Sequence, residues 1–272
     1  MSTLITTSPS AAISARPSWI SDSAVMIRRC LHRSYRDPEA FITALMLPVI
    51  LMLLFVYVFG GALRTGGAYI DYVVPGLIVL CTGFGAGNTA VQVASDMTNG
   101  IVDRLRSMPI HGAALLVGQI TASLARNLLA TTAVIAVAIG IGWRPTASPL
   151  RWLAAAAMIV LFLLALSWFA ATIGLLVGSV EAASGATFFL MFLPYASSAF
   201  VPTHTLPGPL RAFAEHQPFT PIVETMRGLW MGHTAAGGSL GHQALLAIAY
   251  CVAILVASGV AASWLFQRRR TG

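Results

Sequence analysis

The sequence predicts an all-α membrane protein of six transmembrane helices, with an N-terminal interfacial elbow helix and short external re-entrant helices before the last span. Three observations carry this. Of the 272 residues 57% are hydrophobic, and the mean hydropathy is +0.80. Charged residues make up 9%, where a soluble domain carries about 25%. Apolar windows long enough to cross a bilayer hold more than half of the chain. A single transmembrane domain is expected over 1–272, with a flexible tail at 1–18, the elbow at 19–37 and the six-helix bundle at 41–266.

A hydrocarbon layer about 30 Å thick needs about 20 apolar residues of helix. Windows of that kind are Phe41–Leu63, Tyr72–Ala94, Ala113–Ile141, Trp152–Val180, Ala182–Val201 and Gln243–Phe266. Run together, the fourth and fifth would make a helix of roughly 75 Å, too long for any bilayer, so a break belongs at Gly178-Ser179-Val180-Glu181. The third window holds Arg126. A charge inside a span is a functional candidate by default, but this window is longer than a crossing needs, so Arg126 is expected to snorkel to the inner interface.

Ahead of the first span, Ile20, Ala24, Ile27 and Leu31 recur at helical spacing beside Arg28, Arg29 and Arg33, the pattern of a helix lying in an anionic interface. Pro38 then turns the chain into the membrane. Between spans two and three, Ile101, Leu105 and Met108 form one apolar stripe opposite Asp103, Arg104 and Arg106. That short helix either seats in a partner's groove or is a solvated connector. The stretch Pro202–His242 holds five prolines yet stays amphipathic around Leu210–Phe213 and Ile222–Trp230. It reads as two short helices dipping into the outer leaflet, with Glu224 and Arg227 three apart and able to pair.

Charge sets the orientation. The N-terminal segment, the second loop and the C-terminus carry ten arginines, and the opposite loops carry five, so both termini should be cytoplasmic. The same charges exclude several functions. Arginine accounts for all 16 basic Lys/Arg residues; without lysine there is no Gly-Lys-Ser/Thr phosphate cradle, so the chain is not expected to hydrolyse nucleotides by that route. A pI near 10.0 built from arginines between apolar runs fits membrane asymmetry, not nucleic acid. Cys30, Cys81 and Cys251 are too far apart for a redox or metal motif, and the six histidines offer no metal cluster. No line of mid-span acids marks an ion-coupled pump.

Several sequence pieces resemble a known family. They are Arg36-Asp37-Pro38 with Pro48, Phe59-Gly60-Gly61, Tyr72-Val73-Val74-Pro75-Gly76, and Gly100 to Pro109. Further pieces are Ser197-Ser198-Ala199-Phe200-Val201-Pro202, Pro218-Phe219-Thr220-Pro221 and Met226-Arg227-Gly228. In that order they resemble the membrane permease subunit of type-2 ABC exporters, most closely the daunorubicin-resistance (multidrug efflux) branch, over residues 25–266. Relatives often carry Glu or Arg where Met97 and Thr98 stand here.

The resemblance implies that Gly100, Ile101, Asp103, Arg104, Leu105, Arg106 and Pro109 form a cytoplasmic coupling helix on a separate ABC ATPase. It implies two ATPase copies, which would hold ATP and Mg, and a second permease as homodimer or close heterodimer. No cofactor is expected in this chain. A substrate path between permeases would run along spans two and five, past Asn88, Gln92, Phe188, Phe192 and Tyr195, which could equally be helix packing. Phe219, Glu224 and Arg227 mark the external re-entrant segment. The implied function is ATP-driven export of an amphipathic drug, antibiotic or lipid-like molecule across a plasma membrane, on family grounds the bacterial inner membrane. Two alternatives stay open: a permease for polysaccharide or lipid-linked glycan, and an intramembrane hydrolase, for which no serine has a mid-span histidine partner.

Overall fold

A computed structural model describes residues 38–60, 69–99, 113–234 and 239–268, together with residues 27, 28, 30 and 32. Among these residues there are eight α-helices and no strand. They are α1 (Pro38–Leu53), α2 (Tyr69–Thr98), α3 (Ala113–Gly140), α4 (Pro149–Leu176), α5 (Val180–Phe192), α6 (Gly208–His216), α7 (Phe219–Met231) and α8 (Leu240–Arg268).

Local chemistry explains most boundaries. Pro38 and Pro149 stand at the first positions of their helices, where the missing N–H costs no hydrogen bond. Past Leu53 the α1 helix continues as a π-helical turn, Leu54–Phe59. α3 gives way at Gly142, whose φ of +112° is open to glycine without strain, and α7 ends at Gly232 with φ +80°. The break between α4 and α5 falls where the sequence placed it. Val177 turns extended, and the Ser179 hydroxyl accepts from the Ala182 N–H at 3.1 Å to open α5.

α2, Leu116–Gly140 of α3, α4 and Leu240–Leu265 of α8 are long and apolar enough to cross a membrane. The expected first and fifth spans are shorter apolar helices, Leu45–Phe59 and Val180–Ala196. The fifth differs most from expectation: after Phe192 it tightens into a 3-10 turn, Leu193–Ala196, where Pro194 has no N–H for the α-helical ladder. Arg126 also departs from the snorkelling expectation. It lies midway along α3 and is 8% exposed, packed within the bundle instead of reaching a rim.

α2 is the central helix and packs against α1, α3, α4, α5 and α7; α8 lies outside, on α4 and α7. Small residues permit the close approach, since lipid offers no hydrophobic drive to associate and contact quality decides. A Cβ at Gly174 of α4 would stand 2.5 Å from the Ala90 carbonyl oxygen of α2, and one at Gly87 would stand 2.2 Å from the Thr187 methyl of α5. The end of α1, the start of α2, the α3–α4 connection, the end of α5 and α7 all gather at one end of the bundle, the cap. α2 and α3 open toward the opposite end, where residues 99–112 join them.

Candidate functional site

Three sequence motifs that are far apart in the chain meet at the cap. Eleven of the thirteen residues of α7 are buried, so this helix, too short to cross a bilayer, is inserted into protein along nearly its whole length. Arg227 is at its centre. The guanidinium pairs with Glu224 one turn earlier, and its Nη2 donates to the backbone carbonyls of Tyr72 and Ser198, each at 3.0 Å. It also lies over the Tyr72 ring, 3.9 Å from the centroid. Both charged side chains are fully buried.

The neighbouring sequence accounts for these acceptors. Pro75 has no N–H and so removes one hydrogen bond from the first turns of α2, next to the Tyr72 carbonyl that Arg227 reaches. Ser198 lies just past the 3-10 turn, in chain with no helical partner for its carbonyl. The Tyr72 hydroxyl donates to that same carbonyl at 2.9 Å, and Tyr69 donates to the Phe200 carbonyl at 3.3 Å. A Cβ at Gly76 would stand 2.6 Å from the Ala199 carbonyl oxygen, so only glycine lets the two backbones touch. Thr220 accepts from the Ser198 N–H and donates to the Ala214 carbonyl, which ties α6 and α7 to the same strap. Phe219 packs edge-on against Phe162 of α4. Phe219, Glu224 and Arg227 are therefore one assembly, and the expected Glu224–Arg227 pair forms.

The expected path residues lie on a different face. Asn88 is exposed and Gln92 half-buried, on a helix whose residues are otherwise mostly buried. Phe188 and Phe192 of α5 and Tyr195 of the 3-10 turn after it are exposed. Asn88 and Phe188 each follow a partner of the Gly87–Thr187 contact, so the two stripes border one α2–α5 seam. The rings form a ladder, Phe188–Phe192 at 5.0 Å, Phe192–Tyr195 at 6.1 Å and Tyr195–Phe200 at 5.1 Å, which continues from Phe200 to Phe55 of α1 at 4.5 Å. Gly100, Ile101, Asp103, Arg104, Leu105, Arg106 and Pro109 lie outside the described residues, as do most of the expected elbow and the 1–18 tail.

One feature of the bundle has no counterpart in the sequence reading. Gln119, Ser123, Asn127 and Thr131 recur every fourth residue along α3, and all four are buried. Gln119 donates to the Asp96 carboxylate of α2 at 2.5 Å, and Ser123 bonds Thr89 at 2.6 Å, with Ser167 of α4 at 3.4 Å. The spacing of four was a readable signal, hidden among apolar neighbours. Among the described residues no group of three or more His, Cys, Asp or Glu comes together to hold a metal. The Nδ1 atoms of His216 and His233 sit on backbone carbonyls, at 2.8 and 3.1 Å.

Residues 23–231 match the family described as ABC-2 type transporter. The chain is 25% identical over 220 residues to the daunorubicin resistance ABC transporter permease protein DrrB1 of Streptomyces coeruleorubidus, which covers 80% of this chain and 78% of that protein. It is 24% identical over 225 residues to the probable doxorubicin resistance ABC transporter permease protein DrrC of Mycobacterium tuberculosis, covering 82% of each.

Proposed function

The chain belongs to the ABC-2 type transporter family, and from that premise we propose that it is the membrane subunit of an ATP-driven exporter. It moves an amphipathic drug, antibiotic or lipid-like molecule out of the cell by alternating access. The chain is integral to a membrane, with six membrane-embedded segments and both termini on the cytoplasmic side, in the plasma membrane of a bacterium. Two ABC ATPase subunits bind Mg and ATP, and a second permease, identical or closely related, completes the pathway. In this reading α6 and α7 form the re-entrant segment of the outer leaflet.

The observation that carries the reading is the polar stripe of α2. An asparagine and a glutamine on the outside of a membrane helix, Asn88 and Gln92, are costly in lipid and are found facing protein or a water-filled cavity. Beside them run Phe188, Phe192 and Tyr195, whose ring faces suit an apolar body carrying polar groups. A second permease placed over this face would enclose a path lined by both stripes. The names of the relatives suggest an anthracycline as the probe.

ATP energy would enter at residues 100–109. Ile101 and Leu105 supply the apolar contact to the ATPase and Asp103, Arg104 and Arg106 the polar one, with Gly100 and Pro109 bounding the segment. The energy does work only if that contact differs between the two states of the bundle. The test uses inside-out vesicles from cells that express the chain with the ATPase that copurifies with it. ATP-dependent daunorubicin accumulation is expected, and Leu105→Asp should abolish it while the chain still inserts. Unchanged accumulation in that variant would overturn the coupling assignment, and no copurifying ATPase would overturn the exporter reading.

A further inference from the structure

We infer that the α2–α3 hairpin is a rigid lever, held in register by a buried polar zipper, and that Asp96 and Gln119 are its positioning residues at the connected end. Three of the four pairs follow one antiparallel register, stepping four residues on each helix, and in the fourth Gln119 reaches Asp96, seven residues on from Thr89 along α2. Gln119 meets Asp96, Ser123 meets Thr89, Asn127 meets Gly85, and Thr131 lies beside Cys81. The Asn127 contact is so close that a Cβ at Gly85 would stand 1.3 Å from its Oδ1, and Asn127 also donates to Ser123 at 3.2 Å. Four consecutive turns of α3 thus present polar or fitted contacts to one face of α2.

Two apolar helices in lipid can slide or rotate against each other at little cost, because every register buries similar atoms. Hydrogen-bonding groups remove that freedom, since a slip leaves them unpaired in a medium without water. The zipper fixes one register between Cys81 and Thr89 of α2, and the Gln119–Asp96 bond extends the tie to Asp96. Its end pair lies three residues before residue 99 and seven after residue 112, on either side of the connection that contains the proposed coupling segment. The carboxyl group of Asp96 and the amide of Gln119 therefore tie the two helices near the end of the hairpin where the load would arrive. This deepens the exporter reading and rests on it: a push at the connection moves α2 and α3 together and reaches the Asn88 and Gln92 stripe without being lost as shear.

The test is made on the complex with its ATPase, in a background where Cys30, Cys81 and Cys251 are alanine. Spin labels at Asn99→Cys and Ile139→Cys, toward opposite ends of the hairpin, should give the same separation in nucleotide-free and vanadate-trapped complex. A change of about 5 Å, one helical turn, would overturn the lever. The hydroxyl oxygens of Thr89 and Ser123 are close enough for a disulfide in Thr89→Cys/Ser123→Cys. The oxidised variant should keep ATP hydrolysis and daunorubicin transport, and a loss that a reductant reverses would show that the helices must slide. Gln119→Leu should lower transport per ATP hydrolysed by about three- to tenfold, the range interhelical hydrogen bonds in lipid carry, while Asp96→Asn retains most of it. Equal coupling in Gln119→Leu and wild type would remove the positioning role. Failure of the exporter reading appears separately, as absent ATP-dependent transport in the unmodified chain.

Discussion

The cap and the α2–α5 face are made from similar residues, aromatic and aliphatic, yet one is closed and the other open. At the cap, Tyr72, Ser198, Glu224 and Arg227 satisfy each other and leave almost nothing exposed. Along α5, Phe188 is 62% exposed and its nearest ring partner is a neighbour on the same helix. The difference lies in what holds helices together in lipid. Apolar side chains gain little by leaving a lipid tail for a protein neighbour, so a region locks where polar groups and close backbone contacts have only one solution. Where neither is present, the surface stays available to lipid, a second copy or a passing amphiphile.

Substitutions can break this contrast from either side. The largest effect is expected from Arg227→Leu, which strands Glu224 as a buried charge at a cost of about 3–5 kcal/mol. Thermal unfolding in detergent should show the loss, and the double change Glu224→Leu/Arg227→Leu should recover part of it. If the single and double variants are equally unstable, the ion pair is not what the cap rests on. Next is Gly76→Ala, whose methyl would press on Ala199 and cost about 1–3 kcal/mol by the same measurement. Wild-type stability there would mean that the backbone contact yields easily.

Ser179→Ala removes the hydroxyl that opens α5 and should cost about 1 kcal/mol, seen as a modest fall in the same unfolding transition. Smallest in stability is Phe192→Ala on the open face, expected to fall within about 0.5 kcal/mol of wild type because the ring has little protein to lose. The same variant should change which amphiphiles the reconstituted complex moves. A large stability loss with unchanged selectivity would place Phe192 in packing and not on a path.

Where the sequence was legible, the reason was local. The break at Gly178 to Glu181, the short helices around Leu210 and Ile222, and the Glu224–Arg227 pair all follow from periodicity, caps or a spacing of three. The resemblance motifs were also visible, but their meeting place was not: Arg227 and Tyr72 are 155 positions apart. α5 was read too long because apolar composition measures affinity for lipid, not the point at which Pro194 ends the helix. Length alone suggests a rim position for Arg126, whereas the structure buries it among neighbouring side chains.

Composition and periodicity by themselves determined that this is a helical membrane protein and where its long helices run. They could not determine which side of each helix turns inward. An apolar helix offers lipid and protein nearly the same surface all round, so amphipathicity gives no direction. Only the tertiary structure decided that 83% of the central stretch of α2 is buried and 17% of that of α8, and that Gln119 faces Asp96. The physical reason is that the choice rests on a few polar partners and close glycine contacts between distant segments, and those exist only once the helices are side by side.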